Sequence, residues 1–171
     1  MKGGRKVSSD TPLFELTLRK YEKPQTRKER DLVKRLCLTL GVLQPGDSRD
    51  VIEDVLHVLL KSGRGRKLLS VEEIERKVAI NRKLHKAPLS GMAPSNIRRQ
   101  IKRLRNIMLV EKVKSSYKGD ARIKGGYRIS EGLGVSEIFS EKIEKFLLSE
   151  IIQRAKEYLS AADEMFSAKR H

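Results

Sequence analysis

The chain has 171 residues, with 38 Lys and Arg against 22 Asp and Glu, a formal net charge of +16. Charged residues make up 35% and no apolar run reaches the roughly 18 residues of a membrane-spanning helix, which excludes an integral helical membrane protein. The length suits one domain with additions at its ends, and so basic a surface attracts polyanions, nucleic acid before an anionic membrane.

Residues 1–10, M-K-G-G-R-K-V-S-S-D, have the basic start of a signal peptide without the apolar stretch that must follow. They are expected to form a flexible basic arm of a cytoplasmic protein. Thr11-Pro12 then reads as a helix start, with Phe14, Leu18 and Tyr21 at helical spacing and Pro24 as the stop. Thr26 with Glu29 gives a capping-box pattern, and Leu32, Val33, Leu36, Cys37 and Leu40 form the apolar face of a second helix that Gly41 ends. Cys37, the lone cysteine, is expected in the core between Leu36 and Leu38. These two helices make residues 11–47 an N-terminal helical extension.

The turn from Gln44 to Ser48 supplies a cap for a helix over 50–61, which is the most apolar of the chain and is expected at its centre. Lys67-Leu68-Leu69 suits a short strand, and Ser70-Val71-Glu72-Glu73 is a second capping box, opening a helix over 71–82. A longer connection with Pro88, Ser90 and Gly91 precedes Pro94, which starts a helix over 94–106.

That helix has Ile97, Ile101 and Leu104 on one stripe and Ser95, Arg99, Lys102, Arg103 and Asn106 opposite. No acid occurs between Ser95 and Met108. Two strands follow, turning at Lys118-Gly119-Asp120 and returning through Ile123, Tyr127 and Ile129. From Pro94 to Arg128, eleven Lys or Arg against two Asp or Glu leave a local charge of +9. After a Gly-containing connection, Ser136 is read as the cap of one long helix running toward Ala168. Phe139, Ile143, Leu147, Ile151, Ala155, Tyr158, Ala162 and Met165 lie close to one line along it. Its length favours a dimerisation helix, the alternative being a break that folds it back on the N-terminal helices.

Catalytic and metal signals are weak. His57, His85 and His171 are scattered, a single cysteine cannot form a ligand cluster, and no phosphate-cradling Gly-rich loop precedes a helix. No enzymatic activity, metal or cofactor is expected. For binding, Asn96, Arg99, Gln100 and Arg103 have the donor geometry for base edges, and Arg98, Lys102 and Arg105 at the margins suit phosphates, with Ser95 and Asn106 completing the face. In the hairpin, Lys114, Tyr117, Lys118, Arg122 and Lys124 suit the backbone or minor groove beside the helix.

This order of helices, with a basic helix followed by a basic two-stranded wing over residues 48–130, resembles the winged-helix transcription regulators of bacteria and archaea, of the MarR-like kind with dimerising end helices. With abundant Lys, Arg, Glu and Ile, three Asn and four Gln, the composition is thermophile-like, and the chain is similar to small archaeal promoter regulators, those controlling archaellum genes among them. The resemblance rests on element order and charge placement. It implies a mainly α fold with a β-hairpin wing, N-terminal helices and a dimerisation helix over 131–171. It also implies sequence-specific binding of double-stranded DNA by a homodimer. RNA binding or ribosome association is the alternative, favoured by exposed aromatics beside the basic face, and these are scarce. A protein-interaction winged helix would call for a neutral or acidic recognition face.

Overall fold

The computed structural model describes residues 11–47, 51–63, 67–118 and 121–167, with backbone alone at 117, 118 and 121–123. It is mainly helical with a small antiparallel hairpin. The elements run α1 (Glu29–Thr39), α2 (Val51–Lys61), α3 (Val71–Leu84) and α4 (Pro94–Asn106), then β1 (Val110–Val113), β2 (Ser116–Lys118), β3 (Ala121–Ile123) and β4 (Gly126–Ile129). A 3-10 turn, Ser130–Gly132, leads into a continuous helical run of α5 (Val135–Ile138), a π-wound stretch Phe139–Leu148, and α6 (Ser149–Ser167).

The apolar run of α2 places it at the centre, where every residue from Val51 to Leu59 is buried, and α1, α3 and α4 all pack on it. One core extends from Val33 in α1 through α2, Ile74 and Val78 of α3, and Ile97, Ile101 and Leu104 of α4, to Ile129 and Ile138. Each such aliphatic side chain taken out of water contributes about 1.5–3 kcal/mol before ordering costs. Residues 11–47 therefore share the core of the helices that follow.

The helix expected over Phe14, Leu18 and Tyr21 does not form, and residues 12–28 run without helix. Phe14 and Leu16 are half-buried while Leu13, Glu15 and Thr17 are exposed, a period of two over residues 13–17 that suits an extended chain laid on the core. Arg19 fixes the segment against the end of α1. Its N–H donates to Thr39 O at 2.9 Å, and its guanidinium donates to Leu38 O and Leu43 O, each at 3.1 Å, and to Gln44 Oε1 at 2.6 Å. Carbonyls left over at a helix C-terminus thus gain a cationic donor. Gly41, at φ +66°, makes room for this segment, since a Cβ there would stand 2.4 Å from Thr17 O.

Two expected caps also differ. Lys28, not Thr26, occupies the cap position of α1, and Thr26 Oγ1 accepts from Lys28 N at 3.2 Å. Gly134, not Ser136, precedes the C-terminal helical run. The Ser70 capping box forms as read, with Glu73 N donating to Ser70 Oγ at 3.2 Å and Ser70 N to Glu73 Oε2 at 2.8 Å. Ser48, the last residue of the turn read as supplying the cap of α2, and the turn residues Gly119 and Asp120 lie outside the described residues.

The hairpin pairs β1 with β4, Val110 opposite Ile129, and β2 with β3, Lys118 opposite Ala121. Leu69 adds a bridge on the other side of β4, giving and accepting bonds with Tyr127 at 3.0 and 2.8 Å. Both glycines of the Gly-Gly-Tyr run are required by close approach. A Cβ on Gly125 would lie 2.6 Å from Val113 O and Ser115 N, and one on Gly126 would lie 2.8 Å from Leu69 O.

Candidate nucleic-acid interface

Helix α4 buries Ile97, Ile101 and Leu104 against the core, as its apolar stripe dictates, and turns its remaining length outward. Arg98, Arg99, Lys102 and Arg105 are exposed, as are Ser95 and Asn106, and Arg103 is half-buried. Gln100 departs from the outward set, being only 5% exposed.

A hydrogen-bond ladder explains Gln100. Its Nε2 donates to Asn96 Oδ1 at 2.8 Å, Arg99 Nη2 donates to the same oxygen at 2.7 Å, and Arg103 Nη1 donates to Gln100 Oε1 at 3.2 Å. Asn96 Nδ2 in turn donates to Gly91 O at 2.7 Å, tying the start of α4 to the preceding loop. The two amides read as base-contacting candidates therefore spend their polar groups inside the protein and hold Arg99 and Arg103 in place. Asp47, Asn96, Arg99, Gln100 and Arg103 line a surface groove of about 500 Å³.

Among the described residues, no carboxylate is ion-paired with Arg98, Arg99, Lys102, Arg103 or Arg105. Glu72 at the start of α3 comes near. Its carboxyl is held below the ordinary value chiefly by its own backbone N–H and the Ser70 hydroxyl, and to a smaller degree by the charge of Arg98. Elsewhere some cations are ion-paired. Arg128 Nε meets Glu111 Oε1 at 2.7 Å, and Lys142 Nζ meets Glu131 Oε1 at 2.6 Å.

In the hairpin, Lys114 and Lys124 are exposed at the break between the two strand pairs, and Lys112 Nζ sits 5.9 Å from the centre of the Tyr127 ring. Tyr127 packs on the core. The backbone sets Tyr117 opposite Arg122, and the side chains of Tyr117, Lys118 and Arg122 lie outside the described residues.

The proposed dimer line divides. Phe139 packs on the core and Ile143 and Leu147 are buried within the chain, while Ile151 is half-buried and Ala155, Tyr158, Ala162 and Met165 are exposed. The helical run continues to Ser167 without the alternative break and return.

A buried polar network behind this surface was hidden in the sequence. Asp54 of α2 accepts from Arg82 Nη1 of α3 at 2.7 Å and from Asn81 Nδ2 at 3.2 Å, and Arg30 of α1 reaches Glu53 Oε1 with Nε at 2.9 Å. Asn81 also donates to His57 Nδ1 at 3.1 Å, which leaves the Nε2–H to donate to Glu29 Oε2 at 3.2 Å. Arg82 Nε donates to Pro88 O at 2.6 Å, so the network also pins the loop leading to α4. The Cys37 thiol nearby is pushed up to about 12, first by burial and then by the charge of Glu53. It stays protonated and inert at neutral pH. Among the described residues no group of His, Cys, Asp and Glu has a metal-holding arrangement, and no helix is long and apolar enough to cross a membrane.

No protein family, curated protein or solved structure matches this chain.

Proposed function

We propose that this protein is a winged helix-turn-helix transcription regulator that binds duplex DNA as a homodimer. In this reading α3 and α4 are the helix-turn-helix, α4 enters the major groove, and the hairpin is the wing on the adjacent backbone or minor groove. The observation that carries it is the outward face of α4, five cations without an ion-paired carboxylate among the described residues on a helix anchored by its apolar stripe. An uncompensated cationic face costs stability through self-repulsion and gains it back on a polyanion.

Arg99 and Arg103 are the base readers, because a guanidinium pairs bidentately with guanine O6 and N7. Their restraint by Asn96 and Gln100 lowers the ordering cost of that contact. Arg98, Lys102 and Arg105 hold phosphates, and Lys114 and Lys124 place the wing. A homodimer would present two such surfaces to two half-sites.

Genomic-fragment selection followed by footprinting tests the reading. A protected duplex site spanning major-groove guanines supports it, whereas enrichment of RNA over DNA of matched sequence replaces it with an RNA-binding function.

A further inference from the structure

Helix α6 has no buried residue, yet it is not polar all round. Ile152, Leu159 and Phe166 repeat every seven residues, and Ala155 and Ala162 repeat at the same interval three residues after the first two. This is the a/d spacing of a two-stranded coiled-coil seam. Ile152, Leu159 and Phe166 are 46%, 65% and 63% exposed. Glu150, Glu157 and Glu164 repeat every seven residues on the opposite side, where Glu157 accepts from Arg154 Nη1 at 2.5 Å. The extended N-terminal segment does not cover the seam. Pro12, Leu13 and Phe14 line a cleft of about 1020 Å³ with Leu147, Ile151 and Arg154 among its walls, and none of the five seam residues belongs to it.

We propose that a second copy of this chain covers the seam, with the two α6 helices antiparallel about a two-fold axis between Ser160 and Ala161. This rests on the homodimer of the proposed function and adds the direction and register of its interface. Size and charge are self-complementary in this arrangement alone. Leu159 faces the small Ala162 of the second copy and Phe166 faces Ala155, so the four layers from Ala155 to Phe166 each pair a large side chain with a small one, and Ile152 lies outside them. On the flanks Lys156 meets Asp163 of the second copy, and Tyr158 meets Met165. A shift of one heptad would set Lys156 against Lys156. A parallel pair would stack alanine on alanine and place Lys156 and Asp163 beside Ile151 and Tyr158 of the second copy, with no charge to meet.

The test uses the full chain without DNA, so that its failure and failure of the DNA-binding reading are separate results. Ala155→Cys and Phe166→Cys variants are prepared singly, with circular dichroism confirming their helix content, and oxidised alone and as a mixture. The buried Cys37 is controlled by the wild-type chain. Disulfide-linked dimers in the mixture alone are expected, since each cysteine faces the other position. Linked dimers from each variant by itself indicate a parallel pair, and no linkage in the mixture removes the interface. Either result overturns the proposal, as does sedimentation of the wild-type chain as a monomer at micromolar concentration. Lys156→Asp should weaken the dimer several-fold, and adding Asp163→Lys should restore it; equal weakening by both would contradict the register.

Discussion

The guanidinium of Arg82 donates to Asp54 Oδ2 across 2.7 Å, with 1% and 0% of the two side chains exposed. An ion pair so far from water gains little over an apolar pair, but removing one member strands the other. Asp54→Asn or Arg82→Met should each cost about 3–5 kcal/mol, and the double variant should cost clearly less than their sum. Urea unfolding of the four proteins measures this. Small and additive effects would mean that the pair does not join α2 to α3.

Leu69 lies against β4 closely enough that Gly126 has no space for a methyl group, its Cβ position being 2.8 Å from Leu69 O. Gly126→Ala should therefore break the Leu69–Tyr127 bridge and lower stability by about 1–3 kcal/mol, in the range of overpacked sites. Amide exchange at Leu69 and Tyr127 reports the change. Undiminished protection at both would contradict the account of the Gly-Gly-Tyr run.

Burial raises the Glu111 carboxyl, but its bonds to Arg128 and to Glu131 N–H outweigh that and hold it below the ordinary value. A carboxylate depressed in the fold adds stability that is present above its unfolded value of 4.5 and is lost as pH falls through the folded one. Wild type should therefore melt above Glu111→Gln at about pH 7, and the gap should narrow as the pH falls below the unfolded value of 4.5. Melting curves across that range decide it, and a constant gap would place the effect outside Glu111 ionisation.

The boundaries of α4 and the inward positions of Ile97, Ile101 and Leu104 were legible in the sequence because period and charge agree there. So was the Ser70 capping box, which is a local pattern. The segment around Phe14 was misread because its few apolar residues fit helical and extended spacing alike, and the deciding contacts run from Arg19 to carbonyls some twenty residues away. Asp54 and Glu53 read as occasional charges in an apolar helix, since their partners Arg82 and Arg30 lie on other elements. Asn96 and Gln100 have the chemistry of base readers. Their engagement with one another and with Gly91 O depends on side-chain directions that spacing does not encode. Ile143 and Leu147 are buried within the π-wound stretch Phe139–Leu148, whereas their spacing in the sequence runs on into the exposed residues of α6.

The central claim is that the outward face of α4 binds duplex DNA, and its most direct test is affinity against salt concentration for the wild-type chain and for Arg99→Ala, Arg103→Ala, Lys114→Ala and Lys124→Ala, on a selected site and on random duplex. The account predicts a steep fall of affinity with salt for wild type. Arg99→Ala and Arg103→Ala should each lose about 1–3 kcal/mol on the selected site and much less on random duplex. Lys114→Ala and Lys124→Ala should weaken both duplexes alike and reduce the salt slope by about one for each lost phosphate contact. A nearly flat salt dependence, or α4 variants that bind the selected site as well as wild type, would contradict it.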